Sequence, residues 1–202
     1  MRFNDHSDLE GAHSFLSPST YSWVNYDDDR MREAYYNRRE AVRGTRLHFF
    51  AKEAILLGQR LPRSSKTLNM YVNDAIGFRM TPELILFYSP YSFGTVDALG
   101  FEPYPLVSPM PPEREGKKGL LRIHDLKNGR ERTSMMQCRC YAALFCLEYG
   151  FRPYELDYDL RIYQNDDVLI EDNPSIEVLT GIIDRIVSAD RIFQTLAAGE
   201  AQ

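Results

Sequence analysis

The segment Leu120-Leu121-Arg122-Ile123-His124-Asp125-Leu126-Lys127 decides the fold. Its short apolar run predicts a β-strand, and Asn128-Gly129 directly after it is a turn signal. In a strand, residues two apart point to the same face. Asp125 and Lys127 are therefore expected to project together from the end of this strand.

Upstream of this strand, the spacing of the apolar residues changes from about 3.6 to 2, which is typical of strands. Residues 84–88 and 93–100 predict two strands joined by a turn at 89–92, which together form a hairpin. Residues 101–119 are rich in proline and predict a long loop inserted before the strand at 120–127. The strands on either side of this loop are expected to be neighbours in one sheet.

Downstream of this strand, helix and strand patterns alternate. A helix is predicted from about Ser134 to Tyr149, and Gly150 ends it. Residues 154–163 alternate between apolar and charged side chains, which predicts a half-buried strand with one face in water. Asn173-Pro174 is the start signal of a last helix.

The sequence before the hairpin predicts helices. Ser17-Pro18 predicts a helix start, and helical patterns follow from Arg30 to Gly44, over residues 47–57 and over residues 66–76. Residues 1–13 are polar and are expected to be mobile. The order of elements predicts an α/β fold, with a single domain over residues 1–202 and one sheet flanked by helices.

Composition excludes several classes of protein. The chain has 202 residues, of which 44% are hydrophobic, enough to bury a core and to exclude disorder over most of its length. No apolar run is long enough for a membrane span, and the N-terminus has no apolar signal core. The three cysteines, at 138, 140 and 146, form neither a disulfide framework nor a zinc set. The expected location is the cytoplasm.

Charge is distributed unevenly along the chain, although the net charge is only −5. Residues 30–66 carry ten Lys or Arg against three Asp or Glu, and residues 113–132 carry seven against four. Residues 153–202 carry three against eleven. The basic segments could hold a phosphate backbone, because the local field matters most, or could be a solvated helix face.

Four further polar residues accompany Asp125 and Lys127. Asp97 lies within a strand among small and apolar residues, where a carboxylate is costly to bury without a cation or hydrogen-bond donors. His48 lies on the first turn of a helix, and Gln137 and Tyr141 share one face of the helix that follows the Asp-x-Lys strand. Taken singly, these residues could be structural, and Asp125 and Lys127 could be a surface ion pair. Converging carboxylates are the oxygen ligands that Mg²⁺ prefers, and a histidine favours Mn²⁺.

Taken together, these residues carry a resemblance. The motifs Gly44-Thr45-x-x-His48, Gly94-x-x-Asp97, Asp125-x-Lys127 and Gln137-x-x-x-Tyr141 occur in the order seen in the RecB-type exonuclease branch of the PD-(D/E)xK nuclease superfamily. This branch includes lambda-exonuclease-like, YqaJ-like and CRISPR-associated exonucleases. The resemblance covers about residues 14–163. It implies a restriction-endonuclease-like core, with a central mixed sheet of about four to five strands flanked by helices.

The resemblance also implies a role for each residue. His48, Asp97, Asp125 and the backbone carbonyl of Leu126 would bind one or two Mg²⁺ or Mn²⁺ ions. Lys127 would orient or activate the attacking water. Gln137 and Tyr141 would position Lys127 or contact the DNA backbone. Asp125 stands where glutamate is commoner in the family, and the clustered cysteines do not match an iron–sulfur site, so no cluster is expected.

DNA contacts are predicted at the basic segments. Arg43 and Arg46 flank the Gly44-Thr45 motif, and four further basic residues stand at either end of the strand at 120–127: Lys117, Lys118, Arg130 and Arg132. Such contacts would be independent of sequence and sensitive to salt. Ser17 and Ser19 could bind a terminal phosphate at a helix N-terminus or could serve as simple caps.

These features favour a metal-dependent exonuclease that acts on DNA ends, plausibly double-stranded, in phage-type recombination or repair. A single-strand annealing protein is the partner expected by analogy, and the chain could form a homo-oligomer. A structure-specific or restriction-type endonuclease is the alternative on the same fold. A catalytically silent DNA- or protein-binding regulator is the alternative from another class.

Overall fold

A computed structural model describes residues 1–12, 14–37, 46–105, 112–127 and 134–200. The helices described are α1 (Asp28–Asn37), α2 (Arg46–Leu56), α3 (Thr67–Gly77), α4 (Met136–Tyr149) and α5 (Ile176–Glu200). The strands are β1 (Thr81–Ser89), β2 (Ser92–Pro103), β3 (Gly119–Leu126), β4 (Leu156–Gln164) and β5 (Asp167–Asp172). A 3₁₀ helix, Pro18–Asn25, precedes α1. Within the described ranges, none of the helices combines the length and the apolar composition needed to span a bilayer.

The five strands form one mixed sheet in the order β1-β2-β3-β4-β5. β3 and β4 are parallel and are connected through α4, and the other three pairings are antiparallel. A parallel pair needs a crossover of this kind, whereas β1 and β2 are joined by the predicted tight turn. The predicted α/β class and the mixed sheet flanked by helices are confirmed.

Each face of the sheet is covered by its own hydrophobic cluster. On one face, α4 and the 3₁₀ helix pack on the sheet in a cluster that includes Leu121 and Ile123 of β3, and α5 packs on α4. On the other face, α2 and α3 pack on side chains that include Ala98 and Leu126. Because consecutive residues of a strand point to opposite faces, β3 contributes to both clusters and is almost fully buried.

Two features of the last strands differ from the prediction. The face of β4 that was expected to be wet is largely covered: Asp159 is buried, and its carboxylate pairs with the guanidinium of Arg161 at 2.7 Å. Arg161 in turn lies over the ring of Phe78, directly after α3. The prediction of a wet face was wrong because two opposite charges that pair along the same strand can be buried under a helix. β5 was missed, because its sequence is acidic at both ends and short.

The remaining boundaries shift by a few residues. Ser17 precedes a 3₁₀ helix rather than an α-helix, and its side chain makes no capping bond. The loop predicted at 101–119 is shorter, because β2 continues to Pro103 and β3 begins at Gly119. The basic segment from Arg30 is helical to Asn37, and the rest of it, up to Thr45, lies outside the described residues.

Gly94 of β2 allows the 3₁₀ helix to approach the sheet. A Cβ atom at this position would lie 2.7 Å from Cδ of Pro18 and 3.4 Å from the Tyr141 ring. Gly94→Ala is therefore expected to destabilise the fold by about 1–3 kcal/mol, because a proline ring cannot move aside as a flexible side chain would. Chemical denaturation measures this change.

Gly181→Ala in α5 is the matched control, since a Cβ there meets nothing within 4 Å. It is expected to stabilise the fold by about 0.5–1 kcal/mol through helix propensity. Equal effects of the two substitutions would contradict the close approach of Pro18 to β2.

Candidate metal centre

A cleft of about 460 Å³ opens at the carboxyl end of β3, between α2, the β1–β2 hairpin and α4. Seven of the residues singled out in the sequence line it: Ser17, Ser19, His48, Asp97, Lys127, Gln137 and Tyr141. Glu83, which sequence reasoning did not find, lies among them. The predicted site residues of five different elements therefore meet in one place.

His48, Glu83 and Asp97 form the centre of this cleft. Nδ1 of His48 lies 3.2 Å from Oδ1 of Asp97 and 3.8 Å from Oε1 of Glu83. Each residue offers one ligand atom, and the three atoms lie within 4.8 Å of one another. One nitrogen and two carboxylate oxygens are a donor set that suits Mn²⁺ and, less well, Mg²⁺.

The β1–β2 hairpin brings Glu83 opposite Asp97. The register pairs Pro82 with Ala98 and Leu84 with Val96, so positions 83 and 97 face each other. Glu83 has a φ of +50°, which is unusual for a residue other than glycine. Val96 and Ala98 contribute to opposite hydrophobic clusters, although residues two apart normally share a face. The strands are thus irregular at the point where the two carboxylates enter the cleft.

Asp97 also connects β2 to the end of β3. Its Oδ2 accepts a hydrogen bond from the backbone N–H of Leu126 at 2.7 Å. In an extended strand the N–H and C=O of one residue point to the same edge, so the Leu126 carbonyl also faces this side. The predicted role of that carbonyl as a further ligand stays a prediction that fits its placement.

Asp125, Lys127 and Gln137 form a second group beside the first. Nζ of Lys127 lies 3.1 and 3.0 Å from the two carboxylate oxygens of Asp125 and 2.6 Å from Oε1 of Gln137. Asp125 is fully buried. Its carboxylate is not part of the three-residue group, so its role as a direct metal ligand stays a prediction. In the structure the ammonium group of Lys127 contacts both Asp125 and Gln137, and the role of Gln137, to position Lys127 or to contact the DNA backbone, stays a prediction.

Tyr141 is buried in α4, and its hydroxyl donates a hydrogen bond to the backbone carbonyl of Thr95. Thr95 lies two residues before Asp97 in β2. The contact therefore fixes the strand that carries Asp97. Tyr141 acts here as a positioning residue, and a burial of this degree leaves little surface for DNA.

Three groups at the site, those of Glu83, Asp125 and His48, have raised pKa values. Burial, reinforced by the charge of Asp97, raises the pKa of Glu83 to about 7. Burial and Asp97 also raise the pKa of Asp125, which Lys127 opposes. The hydrogen bond to Asp97 raises the pKa of His48 despite partial burial. A divalent cation would relieve the negative charge that accumulates in this partly dry site, and it would have to displace the protons that these raised pKa values retain.

The predicted DNA-binding residues fall into three groups. Ser17 and Ser19 lie in the cleft wall, with their hydroxyl oxygens 2.8 Å apart. Lys117 and Lys118 lie before the first residue of β3, about 20 Å from its other end, and pair with Asp157 and Glu155. The rest cannot be placed, because Arg43, Arg130 and Arg132 lie outside the described residues and Arg46 is described only as the first residue of α2.

The three cysteines lie buried on α4 as free thiols, as expected for small helix residues. Cys138 is adjacent to the site, and burial raises the pKa of its thiol well above the usual range. Burial thus favours the uncharged thiol at this position.

No protein-family model, no curated protein and no solved structure matches the chain.

Metal binding at this centre is expected to raise the melting temperature and to depend on pH. At about 100 times the dissociation constant, Mn²⁺ stabilises by about 2.7 kcal/mol, which is about 5–10 °C for a chain of this length. The shift should be larger at pH 8 than at pH 6, because Glu83 must lose its proton to bind, and its pKa is about 7. Differential scanning fluorimetry at both pH values measures it.

Glu83→Gln and Glu53→Gln are a matched pair for this measurement. Glu53 lies exposed on α2, outside the three-residue group. Glu83→Gln should lose most of the Mn²⁺ shift, and Glu53→Gln should retain it. A shift that is the same at both pH values, or that survives in Glu83→Gln, would place the metal elsewhere.

Proposed function

We propose that the protein is a metal-dependent deoxyribonuclease that hydrolyses phosphodiester bonds at DNA ends. The observation that carries the proposal is the convergence of His48, Glu83 and Asp97 with the Asp125–Lys127 pair in one cleft. The motif order along the chain supports the same class, and a five-stranded mixed sheet flanked by helices agrees with the restriction-endonuclease-like core that the resemblance implies.

In the proposal, one group of residues binds the metal ion and another positions the water and the phosphate. His48, Glu83 and Asp97 would hold the divalent ion, with Asp125 and the Leu126 carbonyl as neighbouring oxygen donors. A bound Mn²⁺ or Mg²⁺ lowers the pKa of water and neutralises charge on the phosphate. Glu83 and Asp125 must be ionised to act as these donors, and their raised pKa values mean that this requires neutral or higher pH.

Lys127 would act as a fixed cation beside the phosphate. Although its burial alone lowers its pKa, the Asp125 carboxylate raises it above the usual value, so the amine stays protonated. A protonated amine cannot accept the proton of the attacking water. Its role in the proposal is therefore to orient the water or a phosphate oxygen, while Asp125 and Gln137 hold it in place.

The choice of DNA ends rests on the serine pair. Ser17 and Ser19 line the same cleft as the metal centre, and their hydroxyl groups form a hydrogen bond of 2.8 Å with each other. Ser17 is buried and Ser19 is exposed, so Ser17 can accept from one side while the Ser19 hydroxyl turns to donate to an oxygen of a terminal phosphate. In the proposal, a DNA end with a phosphate is held here while the adjacent phosphodiester meets the ion.

End-labelled linear DNA and closed circular DNA, incubated with Mn²⁺, Mg²⁺ or EDTA, test the proposal. We expect the linear DNA to be shortened from its ends with either metal, and the circle and the EDTA samples to stay intact. Cutting of closed circles would make the protein an endonuclease on the same site. Intact DNA under every condition would favour a regulator that binds without turnover.

A further inference from the structure

A second pocket, of about 530 Å³, lies away from the metal centre, between the segment at 59–66, α3 and β5. Its polar lining includes Arg60, Arg63 and Ser64, and its apolar lining residues are Leu61, Met70 and Val168. A concave site that combines apolar side chains with a few polar groups is the usual form of a small-ligand site.

The segment that carries the two arginines is held rigidly on α3. The side chain of Asn73 accepts the backbone N–H of Leu61 at 2.9 Å and donates to its carbonyl at 3.0 Å. Asn69 donates to the carbonyl of Pro62 at 2.8 Å and to Oγ of Ser64 at 3.1 Å. Three of these hydrogen bonds fix the backbone of a segment that contains no helix or strand, and the fourth holds the Ser64 side chain, so the backbone adds little ordering cost to ligand binding.

Neither Arg60 nor Arg63 forms an ion pair with another residue that the structure describes. Within the same part of the chain, the Arg60 guanidinium makes one hydrogen bond, to the backbone carbonyl of Asn73 at 3.4 Å. The carboxylate that lines the pocket, that of Asp74, accepts hydrogen bonds from the hydroxyl of Tyr163 at 2.7 Å and from Arg161 at 3.4 Å. Lys66, by contrast, is neutralised by Asp166 at 2.6 Å. No described carboxylate therefore neutralises the two arginines, in a protein whose net charge is −5.

We propose that this pocket binds a phosphate group, which Arg60 and Arg63 hold while the apolar lining residues contact the sugar or base attached to it. Two guanidinium forks match the oxygens of a phosphate and donate charge-assisted hydrogen bonds. The phosphate comes either from a nucleic-acid backbone or from a free nucleotide. The proposal does not depend on nuclease activity, because neither arginine belongs to the metal centre.

Titrations in EDTA test this site without a contribution from the metal centre. The probes are sodium pyrophosphate, a 5′-mononucleotide and a single-stranded 15-nucleotide oligonucleotide, each followed by the amide shifts in ¹H–¹⁵N NMR spectra. Arg60→Ala/Arg63→Ala is compared with Arg2→Ala/Arg191→Ala, which removes two exposed arginines that also make no ion pair among the described residues. The melting temperatures of both double variants check the fold.

We expect Arg60→Ala/Arg63→Ala to weaken binding of the phosphate probes about tenfold or more, because each charge-assisted bond that is lost is worth at least one factor of ten. The control should stay within about twofold of the wild type. Weaker binding of all three probes assigns the site to a free nucleotide phosphate. Weaker binding of the oligonucleotide alone, with a salt slope lower by about 1.4, assigns it to a nucleic-acid backbone.

Equal affinities of the two double variants for all three probes would overturn the proposal. The same holds if the control loses as much affinity as the test variant, because binding would then follow net charge and not this pocket. If the wild-type protein degrades no DNA, the proposal of a nuclease fails. That result does not affect the phosphate site, which these titrations test separately in EDTA.

Discussion

Asp97→Asn is expected to abolish the Mn²⁺-dependent thermal shift and to reduce the degradation of linear DNA by about 10³-fold or more. Asp97 links the elements that form the cleft, since one of its carboxylate oxygens contacts His48 and the other accepts the backbone N–H of Leu126. A ligated cation supplies several kcal/mol of transition-state stabilisation, and the loss of its central carboxylate removes most of that. Rate measurements with end-labelled DNA, together with fluorimetry, check both effects.

The fold should survive this substitution, because the Oδ1 atom of asparagine can still accept the N–H of Leu126. Asp184→Asn is the matched control: it makes the same change on the exposed side of α5, far from the cleft. Near-wild-type activity or an intact Mn²⁺ shift in Asp97→Asn would show that the metal centre is not built on this residue.

Lys127→Met is expected to reduce DNA degradation by about 10²–10⁴-fold and also to lower stability by about 3 kcal/mol. The loss of stability arises because Asp125 is fully buried, and Lys127 is the cation that both of its oxygens face. An uncompensated carboxylate in this position costs more than the missing packing of the lysine stem. Chemical denaturation and end-label assays measure the two effects separately.

The double variant Asp125→Asn/Lys127→Met separates charge from packing. It should recover at least half of the stability lost in Lys127→Met while staying inactive, because the buried charge is gone but the cation is still missing. If the double variant is less stable than Lys127→Met, the pair does not act through charge compensation.

The stability of Lys127→Met should also depend on pH more than that of the wild type. Burial and Asp97 already raise the pKa of Asp125, and removal of Lys127 raises it further. An acid with a higher pKa in the folded state destabilises the fold above its unfolded pKa, and this penalty disappears as the pH falls. The gap between variant and wild type should therefore be larger at pH 8 than at pH 5.5.

Much of this architecture could be predicted from local patterns. The change of apolar spacing at residue 84 locates the hairpin, and Gly150, with a φ of +69°, ends α4 where the sequence places the end of that helix. The two-residue spacing of Asp125 and Lys127 places them on one face of the strand end, where they are ion-paired. Such features depend on a few neighbouring residues, so a single sequence is enough to find them.

Glu83 could not be found in this way. The hairpin register changes between Phe87 and Ser89, so counting back from the pairing of Ser89 with Ser92 sets Leu84, not Glu83, opposite Asp97. Its φ of +50° also interrupts the alternation that would show which face it occupies. The position of the register change between Phe87 and Ser89 would have been needed to pair Glu83 with Asp97, and no residue pattern in the sequence marks that position.

Asp159 shows the same limit on the other face of the sheet. Its charge predicts exposure, and only the tertiary contact with Phe78 and α3 explains why Asp159 and Arg161 are covered together. Burial of a paired charge depends on what packs over it, and that is decided by residues about 80 positions away in the chain. The residue pattern within one strand does not show which distant helix packs over it.

The most direct test of the metal centre is anomalous X-ray scattering from crystals of the protein soaked in Mn²⁺. The account predicts a peak about 2.0–2.3 Å from a ring nitrogen of His48 and from carboxylate oxygens of Glu83 and Asp97. Asp125 or the Leu126 carbonyl would complete the ligand set. A peak bound to other side chains, or no peak in this cleft at saturating Mn²⁺, would contradict the assignment of a metal centre here and remove the basis for a metal-dependent nuclease.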